Sequence, residues 1–324
     1  MSEIRVVGCG IVGLASAIEL QELGHRVRIV ARELPPSTTS NKAAAIWEPY
    51  RAEPAERVAE WSARSYRRYR SQYADPASGV EKVELIEVAR KRLADPFWLR
   101  PEYPFRRLAA AELPAGYGDG YAVEVPFIHS RIYLENLMSR FRDGGGHIEQ
   151  RALGSLAEVA PGADLIVNAS GLGARELVAD PEVFPIRGQL AIVEPRHPVR
   201  YLVDDDSHPE PVYVFRREGL AILGGTAQAH DGNPLPDEAT SRLILERARA
   251  LEPALEGARF VESIVGLRPG RGVVRLEREM PPHLPPIVHN YGHGGAGFTT
   301  AWGCAEEVAR LAAAVLSERS GGKA

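Results

Sequence analysis

Residues 4–30 constrain the fold more than any other part of the chain. Ile4-Arg5-Val6-Val7 is a short run rich in β-branched residues. Gly8-Cys9-Gly10-Ile11-Val12-Gly13 follows, then a helical stretch from Leu14 to Leu23, a stop at Gly24 and a second strand, Val27-Arg28-Ile29-Val30. This is a glycine fingerprint inside a complete strand–turn–helix–strand unit, the context in which such glycines bind a dinucleotide. Gly8 makes the tight turn, Gly10 lets a pyrophosphate approach the backbone, and Gly13 lets helix and strand pack closely. The carboxylate expected on the adenosine ribose falls at Glu33, one residue late. Arg32 is the alternative, as a contact to adenine or to a ribose hydroxyl.

A second glycine-rich stretch lies near the other end, in Val288-His289-Asn290-Tyr291-Gly292-His293-Gly294-Gly295-Ala296-Gly297-Phe298-Thr299-Thr300. Without Cβ atoms a backbone can lie flat against a planar ligand. Thr299 and Thr300 occupy N-cap positions for the apolar helical run that follows. A helix N-terminus aimed at a ring stabilises negative charge on it, which suits a flavin that becomes anionic on reduction.

Length and composition fit two ordinary globular domains. The chain has 324 residues, 44 % apolar and 25 % charged, with a formal charge of −4. This balance gives no reason to expect nucleic acid or an anionic membrane as partner. No apolar run approaches the ~20 residues of a membrane span. With a strand from residue 4 there is no room for a signal peptide, so a cytoplasmic location is expected. The two cysteines, Cys9 and Cys304, are read as small buried packing residues. The histidines show no metal-ligand spacing, so no metal is expected.

The pattern along the chain is interleaved. Asp164-Leu165-Ile166-Val167-Asn168 is a fully apolar strand of the kind buried in a parallel sheet. Helices are predicted over 54–73, 130–142 and 238–251. Strands are predicted over 80–92, 189–193, 211–216, 220–225 and 261–267, and the Pro-rich segments 95–105 and 114–126 read as irregular. A nucleotide-binding domain is expected from residues 1–50, 130–184 and 260–324. A substrate domain is expected from 51–129 and 185–259. The fold class is α/β, a Rossmann-type FAD-binding domain with an interleaved mixed or antiparallel-sheet substrate domain.

Several separate motifs resemble the D-amino-acid oxidase family of FAD enzymes, over essentially the whole chain. They are Gly-Cys-Gly-Ile-Val-Gly-Leu from Gly8, Ala-Arg-Glu-Leu-Pro from Ala31, Ala43-Ala44-Ala45-Ile46-Trp47-Glu48-Pro49-Tyr50, Val265-Gly266-Leu267-Arg268-Pro269 with Arg275-Leu276-Glu277-Arg278-Glu279, and His289 to Gly295. The resemblance implies non-covalent FAD held by Gly8, Gly10, Ile11, Val12, Gly13, Arg32, Glu33, Ala43, Ala44, Ala45, Trp47, Ser170, Gly171, Gly188, Gln189, Gly294, Gly295, Gly297, Phe298 and Thr299. It implies catalytic roles for Arg268 and Tyr213 on the substrate carboxylate and for the Gly295 carbonyl on the amine. Thr299 is expected at the flavin C2 carbonyl. The α-hydrogen leaves as hydride to the flavin, and positioning replaces a side-chain base. Consistently, no His–carboxylate pair is read as catalytic, and His289 and His293 are taken as structural.

Two departures from the family pattern bear on substrate choice. Relatives carry a lid tyrosine where this chain has Asp204-Asp205-Asp206-Ser207-His208-Pro209-Glu210. Relatives that prefer acidic substrates carry an arginine where this chain has Ala227, in Leu223-Gly224-Gly225-Thr226-Ala227. The expected activity is oxidation of neutral D-amino acids to 2-oxo acid, ammonia and hydrogen peroxide. The alternatives are a D-aspartate oxidase, a glycine or sarcosine oxidase of the same fold, or a flavin-binding protein without turnover. The expected partners are a small-molecule D-amino acid and oxygen, with a homo-oligomer left open.

Overall fold

A computed structural model describes residues 1–50 and 52–321. In chain order the first elements are β1 (Glu3–Val7), α1 (Ile11–Glu22), β2 (Arg26–Ala31), α2 (Ala55–Arg70), β3 (Val80–Ala89), β4 (Phe105–Arg107) and β5 (Asp119–Ile128). Next come α3 (Ser130–Asp143), β6 (His147–Gln150), β7 (Leu165–Asn168), α4 (Ala174–Leu177), β8 (Phe184–Glu194), β9 (Tyr201–Asp204), β10 (Val212–Arg217) and β11 (Leu220–Gly224). The chain closes with β12 (Gln228–Ala229), α5 (Glu238–Leu251), β13 (Arg259–Gly270), β14 (Arg275–Glu279), β15 (Ile287–Tyr291) and α6 (Gly297–Gly321). Two compact units form. The first holds residues 1–80, 130–185 and 268–324, and the second holds 81–129 and 186–267.

The first unit is built on a six-stranded sheet in the order β14-β15-β7-β1-β2-β6. β1 runs parallel to β2 and β7, β7 parallel to β15, and β2 parallel to β6. Only β14 is antiparallel, on β15. All four residues of β7 are buried, as an apolar run covered on both faces must be. α1 starts at the N-cap Gly10 and ends before Gly24, whose φ of +85° needs no Cβ.

The segment 51–80, assigned on sequence to the substrate domain, falls in this first unit. The reason is the apolar face of α2. Val58, Trp61, Tyr66 and Tyr69 are buried, and the helix packs on α6. The Tyr69 hydroxyl donates to the Phe298 carbonyl at 2.8 Å, and the Gly303 amide donates to Ser65 Oγ at 3.0 Å. A Cβ at Gly303 would lie 2.2 Å from the Trp61 carbonyl oxygen. Glycine is what lets the two helices approach.

The second unit carries a nine-stranded sheet in the order β12-β8-β11-β10-β9-β3-β5-β4, with β13 also paired to β8. It is mixed, because β3 runs parallel to β9 while β8 through β11 are antiparallel. α5 covers one face. Its N-cap Asp237 accepts from the Thr240 amide at 2.7 Å. Ile244, Ala248 and Leu251 then bury against Ala191, Val214 and Leu223. Burying each large side chain contributes roughly 1.5–3 kcal/mol. The segment 114–126, read as irregular, contains most of the ten-residue β5. β5 is buried on both faces and holds Pro126, so it lacks the alternation and composition that mark a strand.

Candidate active site

Within the first unit, the expected nucleotide contacts gather at the C-terminal ends of β1 and β7. Gly8 has φ +116°, and a Cβ on it would meet the Ala169 carbonyl oxygen at 2.3 Å. A Cβ on Gly13 would meet the Gly8 carbonyl oxygen at 2.2 Å. The turn and the helix are therefore sterically closed to any larger residue. The Ile11 amide donates to Ser40 Oγ at 3.1 Å. Ser40 and Asn41 were not singled out on sequence. Asn41 takes the Thr38 hydroxyl on Oδ1 at 2.7 Å, and its buried Nδ2 has no partner among the described residues. The polar run Thr38-Thr39-Ser40-Asn41 just after β2 is the signal that marks them. Arg32 and Glu33 lie exposed just beyond β2, 3.9 Å apart.

Ser170 and Gly171 close β7. Ser170 Oγ and its amide both donate to Asn168 Oδ1, at 2.6 and 3.3 Å, and Gly171 has φ +58°. Ala43 and Ala44 are half-buried, and Ala45 is buried with φ +53°. Trp47 is a core residue. It is fully buried, its Nε1 donates to the Ser62 carbonyl at 3.0 Å, and it meets Tyr66 edge-on at 5.1 Å. Any contact from Trp47 to a cofactor falls to its backbone.

The glycine loop is tied to the strand that carries Arg268. The Gly294 amide donates to the Pro269 carbonyl at 2.8 Å, and Gly294 has φ +53°. Gly295 is exposed, and a Cβ there would lie 2.8 Å from Tyr50 Cδ1 and 3.9 Å from Arg268 Cδ. Arg268, Gly295 and Tyr50 therefore converge. α6 begins at Gly297, earlier than the threonines suggested. Thr299 consequently sits inside the first turn. Its hydroxyl donates to the Glu48 carbonyl at 2.8 Å and accepts the Glu48 amide at 3.2 Å. That hydroxyl is committed, and the first-turn amides, which have no intrahelical acceptor, are what α6 presents. Phe298 is buried there.

In the second unit, Tyr213 on β10 stacks on Phe215 at 4.8 Å between ring centroids. Gly224 and Gly225 make room for its ring. A Cβ on Gly224 would lie 1.9 Å from Tyr213 Cζ, and one on Gly225 would lie 3.2 Å from its hydroxyl. Gly188 is buried in β8. Gln189 is wholly enclosed: Oε1 accepts from Arg187 and the Asp237 amide, Nε2 donates to Asp237 and Ser241, and its own amide donates to Thr226. Its side chain holds α5 to β8, so any cofactor contact from Gln189 falls to its carbonyl.

One His–carboxylate pair lies outside the expected site: the buried His289 Nε2 lies 2.9 Å from Oε2 of the exposed Glu279. It spans β14 and β15, and its other nitrogen meets Asn168. His293 is fully enclosed, and burial alone pushes its pKa down to about 4. Cys9 and Cys304 are free and buried, and burial pushes the Cys9 thiol up to about 12. Among the described residues no cluster of metal-ligating side chains occurs, and no helix is long and apolar enough to cross a membrane.

The family model described as FAD dependent oxidoreductase matches residues 3–311. The chain belongs to this family. A D-amino-acid oxidase of Rubrobacter xylanophilus is 49 % identical over 313 residues, covering 96 % of each chain. Human D-aspartate oxidase is 35 % identical over 324 aligned positions, covering 96 % of this chain and 94 % of the relative. The crystal structure of glycine oxidase from Geobacillus kaustophilus superposes with a TM-score of 0.79 at 18 % identity, over 98 % of this chain and 95 % of that one. The last likeness speaks for the fold alone.

FAD is thus the cofactor of the family, and the first unit fits it. The glycine turn admits a close backbone approach, the unpartnered Asn41 Nδ2 is a donor suited to a pyrophosphate oxygen, and the first-turn amides of α1 and α6 favour negative charge. Recognition of the family from sequence therefore stands, as do the α/β fold class and the oxidoreductase reading.

Proposed function

We propose that this chain is a D-amino-acid oxidase acting on neutral substrates. The overall reaction takes a D-amino acid, oxygen and water to 2-oxo acid, ammonia and hydrogen peroxide. One observation carries the reading: the Gly294–Pro269 hydrogen bond holds a backbone carbonyl loop beside a half-buried arginine. A zwitterionic substrate needs both, a forked cation for its carboxylate and an acceptor for its amine. Arg268 is assigned the carboxylate and the Gly295 carbonyl the amine. Tyr213 is assigned a second bond to the carboxylate on the family resemblance.

FAD, when bound, supplies the two-electron acceptor. Gly8, Gly10, Ile11, Val12 and Gly13 with Ser40 and Asn41 are assigned to its pyrophosphate, and Arg32 or Glu33 to its ribose. Ala43, Ala44, Ala45, the Trp47 backbone, Ser170, Gly171, Gly188, the Gln189 carbonyl, Gly294, Gly297, Phe298 and the Thr299 amide are assigned to the rest. The attachment is non-covalent and the location cytoplasmic in this reading. Neutral preference rests on Ala227. Arg216 does not replace the missing cation, since it pairs with Glu81 at 3.3 Å over the Tyr201 ring. Arg217 is four residues along β10 from Tyr213, about 13 Å at ~3.3 Å per residue.

A panel of D- and L-amino acids read by peroxide release tests the proposal. D-alanine, D-valine or D-leucine should exceed D-aspartate and D-glutamate by at least ~10-fold in kcat/KM. D-aspartate ranking first would overturn the neutral preference. Absence of peroxide with every D-amino acid would overturn the activity.

A further inference from the structure

Two segments of the first unit carry the groups assigned to the substrate, and one buried carboxylate ties them together. The end of β13 carries Arg268, and the loop after β15 carries Gly295. Asp180, in the turn after α4, is only 6 % exposed. Its Oδ2 accepts from the Tyr291 hydroxyl at 2.8 Å and from Arg271 Nε at 3.0 Å, and its Oδ1 accepts the Glu182 amide at 3.0 Å. Arg271 lies three residues beyond Arg268, and Tyr291 lies four before Gly295. The Gly294–Pro269 hydrogen bond joins the same two segments at their tips. Asp180 joins them at their roots.

The joint is braced on each side. Arg275 Nη1 donates to the Tyr291 hydroxyl at 2.8 Å, so that oxygen both accepts and donates in a fixed direction. Arg271 Nη1 donates to the Val273 carbonyl at 2.9 Å. Gly292 has φ +83°, and a Cβ there would lie 2.8 Å from Arg271 Cβ, so the arginine stem packs on the start of the glycine loop. Ala179, just before Asp180, holds φ +49°, a left-handed conformation that favours glycine. A residue kept there is held by its surroundings, and such residues gather where a site demands a set geometry. Burial pushes the Asp180 pKa up, but the bonds from Tyr291 and Arg271 outweigh it and hold the carboxyl below the ordinary aspartate range.

We propose that Asp180 is a positioning residue that sets the spacing between the Arg268 guanidinium and the Gly295 carbonyl. The inference rests on the D-amino-acid oxidase reading, which assigns the substrate carboxylate to the first and the amine to the second. A zwitterion needs both groups at one separation, whereas a plain carboxylate needs Arg268 alone. Two variants of the holoenzyme test this, Asp180→Ala and Tyr291→Phe. The second removes one arm of the tie and keeps the ring in the core, so it decides if the first yields no soluble protein. Each is measured for kcat/KM with D-alanine. Each is also titrated with propionate, a carboxylate of the same length without an amine, and its dissociation constant is read from flavin absorbance. The kcat/KM should fall by ~10-fold or more, because a misplacement of about 1 Å costs up to ~10²-fold, while the propionate constant moves by less than ~2-fold. Wild-type kinetics in a soluble, flavin-loaded variant overturn the role of Asp180. So does a change of equal factor in both quantities, which marks a general loosening of the fold. A wild-type enzyme that releases no peroxide with any D-amino acid overturns the underlying reading instead.

Discussion

Asn168 and His289 determine each other's chemistry. They face one another in register on β7 and β15, with Asn168 Nδ2 3.3 Å from His289 Nδ1. The Ser170 amide donates to the other end of the Asn168 carboxamide, which identifies that end as the oxygen. The nitrogen can then only donate, so His289 Nδ1 carries no proton. Its proton lies on Nε2, pointing at the Glu279 carboxylate. A doubly protonated ring would aim an N–H at an amide donor. The neutral form is also favoured by burial, which holds the His289 pKa below the ordinary histidine range.

Acid should therefore unfold this protein through its histidines before its paired carboxylates. His289 and His293 both have folded pKa values below 6.5, the latter at about 4. The unfolded chain binds more protons in this window. Their contribution is complete above pH 6.5 and is lost as pH falls toward the folded values. For His293 the full loss is roughly 3 kcal/mol at ~1.36 kcal/mol per pKa unit. Glu87, whose pKa is raised by burial, works in the opposite direction. The comparison that isolates the histidine is the urea midpoint of wild type and His293→Leu at pH 7 and pH 5. The wild type should lose more stability than the variant, and equal losses would contradict the assignment.

Arg268→Ala should give a folded, flavin-containing protein with a crippled reaction. Charge-assisted hydrogen bonds contribute roughly 1.5–3 kcal/mol each, so losing a forked pair costs ~10²-fold or more in kcat/KM. Steady-state kinetics with D-alanine check this. Near-wild-type values would place the substrate carboxylate elsewhere.

The flavin should come off without breaking a bond. Acid-precipitated protein should leave a colourless pellet and a yellow supernatant whose absorbance matches FAD. Colour retained in the pellet would demonstrate a covalent link.

Gly303→Ala should destabilise the first unit although alanine is the better helix former. The added Cβ meets the Trp61 backbone, which cannot swing aside as a side chain tip does. Overpacking of this kind costs typically 1–3 kcal/mol. Thermal melting of the holoenzyme should show a Tm several degrees below wild type. An unchanged or higher Tm would mean that α2 and α6 separate freely.

The sequence carried the parts of the fold whose residues repeat a physical demand locally. The glycines of the first turn, the apolar β7, and α5 from Glu238 to Leu251 behind its Asp237 cap all read directly. β5 did not, because burial on both faces erases alternation. β14 did not either, because Arg275-Leu276-Glu277-Arg278-Glu279 is a charged edge strand with a single apolar residue. At the site, residue types were legible and bonding partners were not. Nothing local in the sequence says that the Thr299 hydroxyl closes on Glu48, that Trp47 points into the core, or that Glu210 reaches Ala227. Each of these pairs only after distant segments have folded together.

The strand order of the first sheet also sets a timetable. β1 is made first and lies between β2 and β7, but β7 is complete only at Asn168, and β7 in turn waits for β15, complete at Tyr291. A chain growing from its N-terminus therefore holds β1 and β2 as an open sheet until β7 is made well over 100 residues later. The pairings that close it are among the most distant in sequence, the kind that form slowly and leave edges exposed meanwhile. The first sheet is therefore complete only once β15 has joined β7.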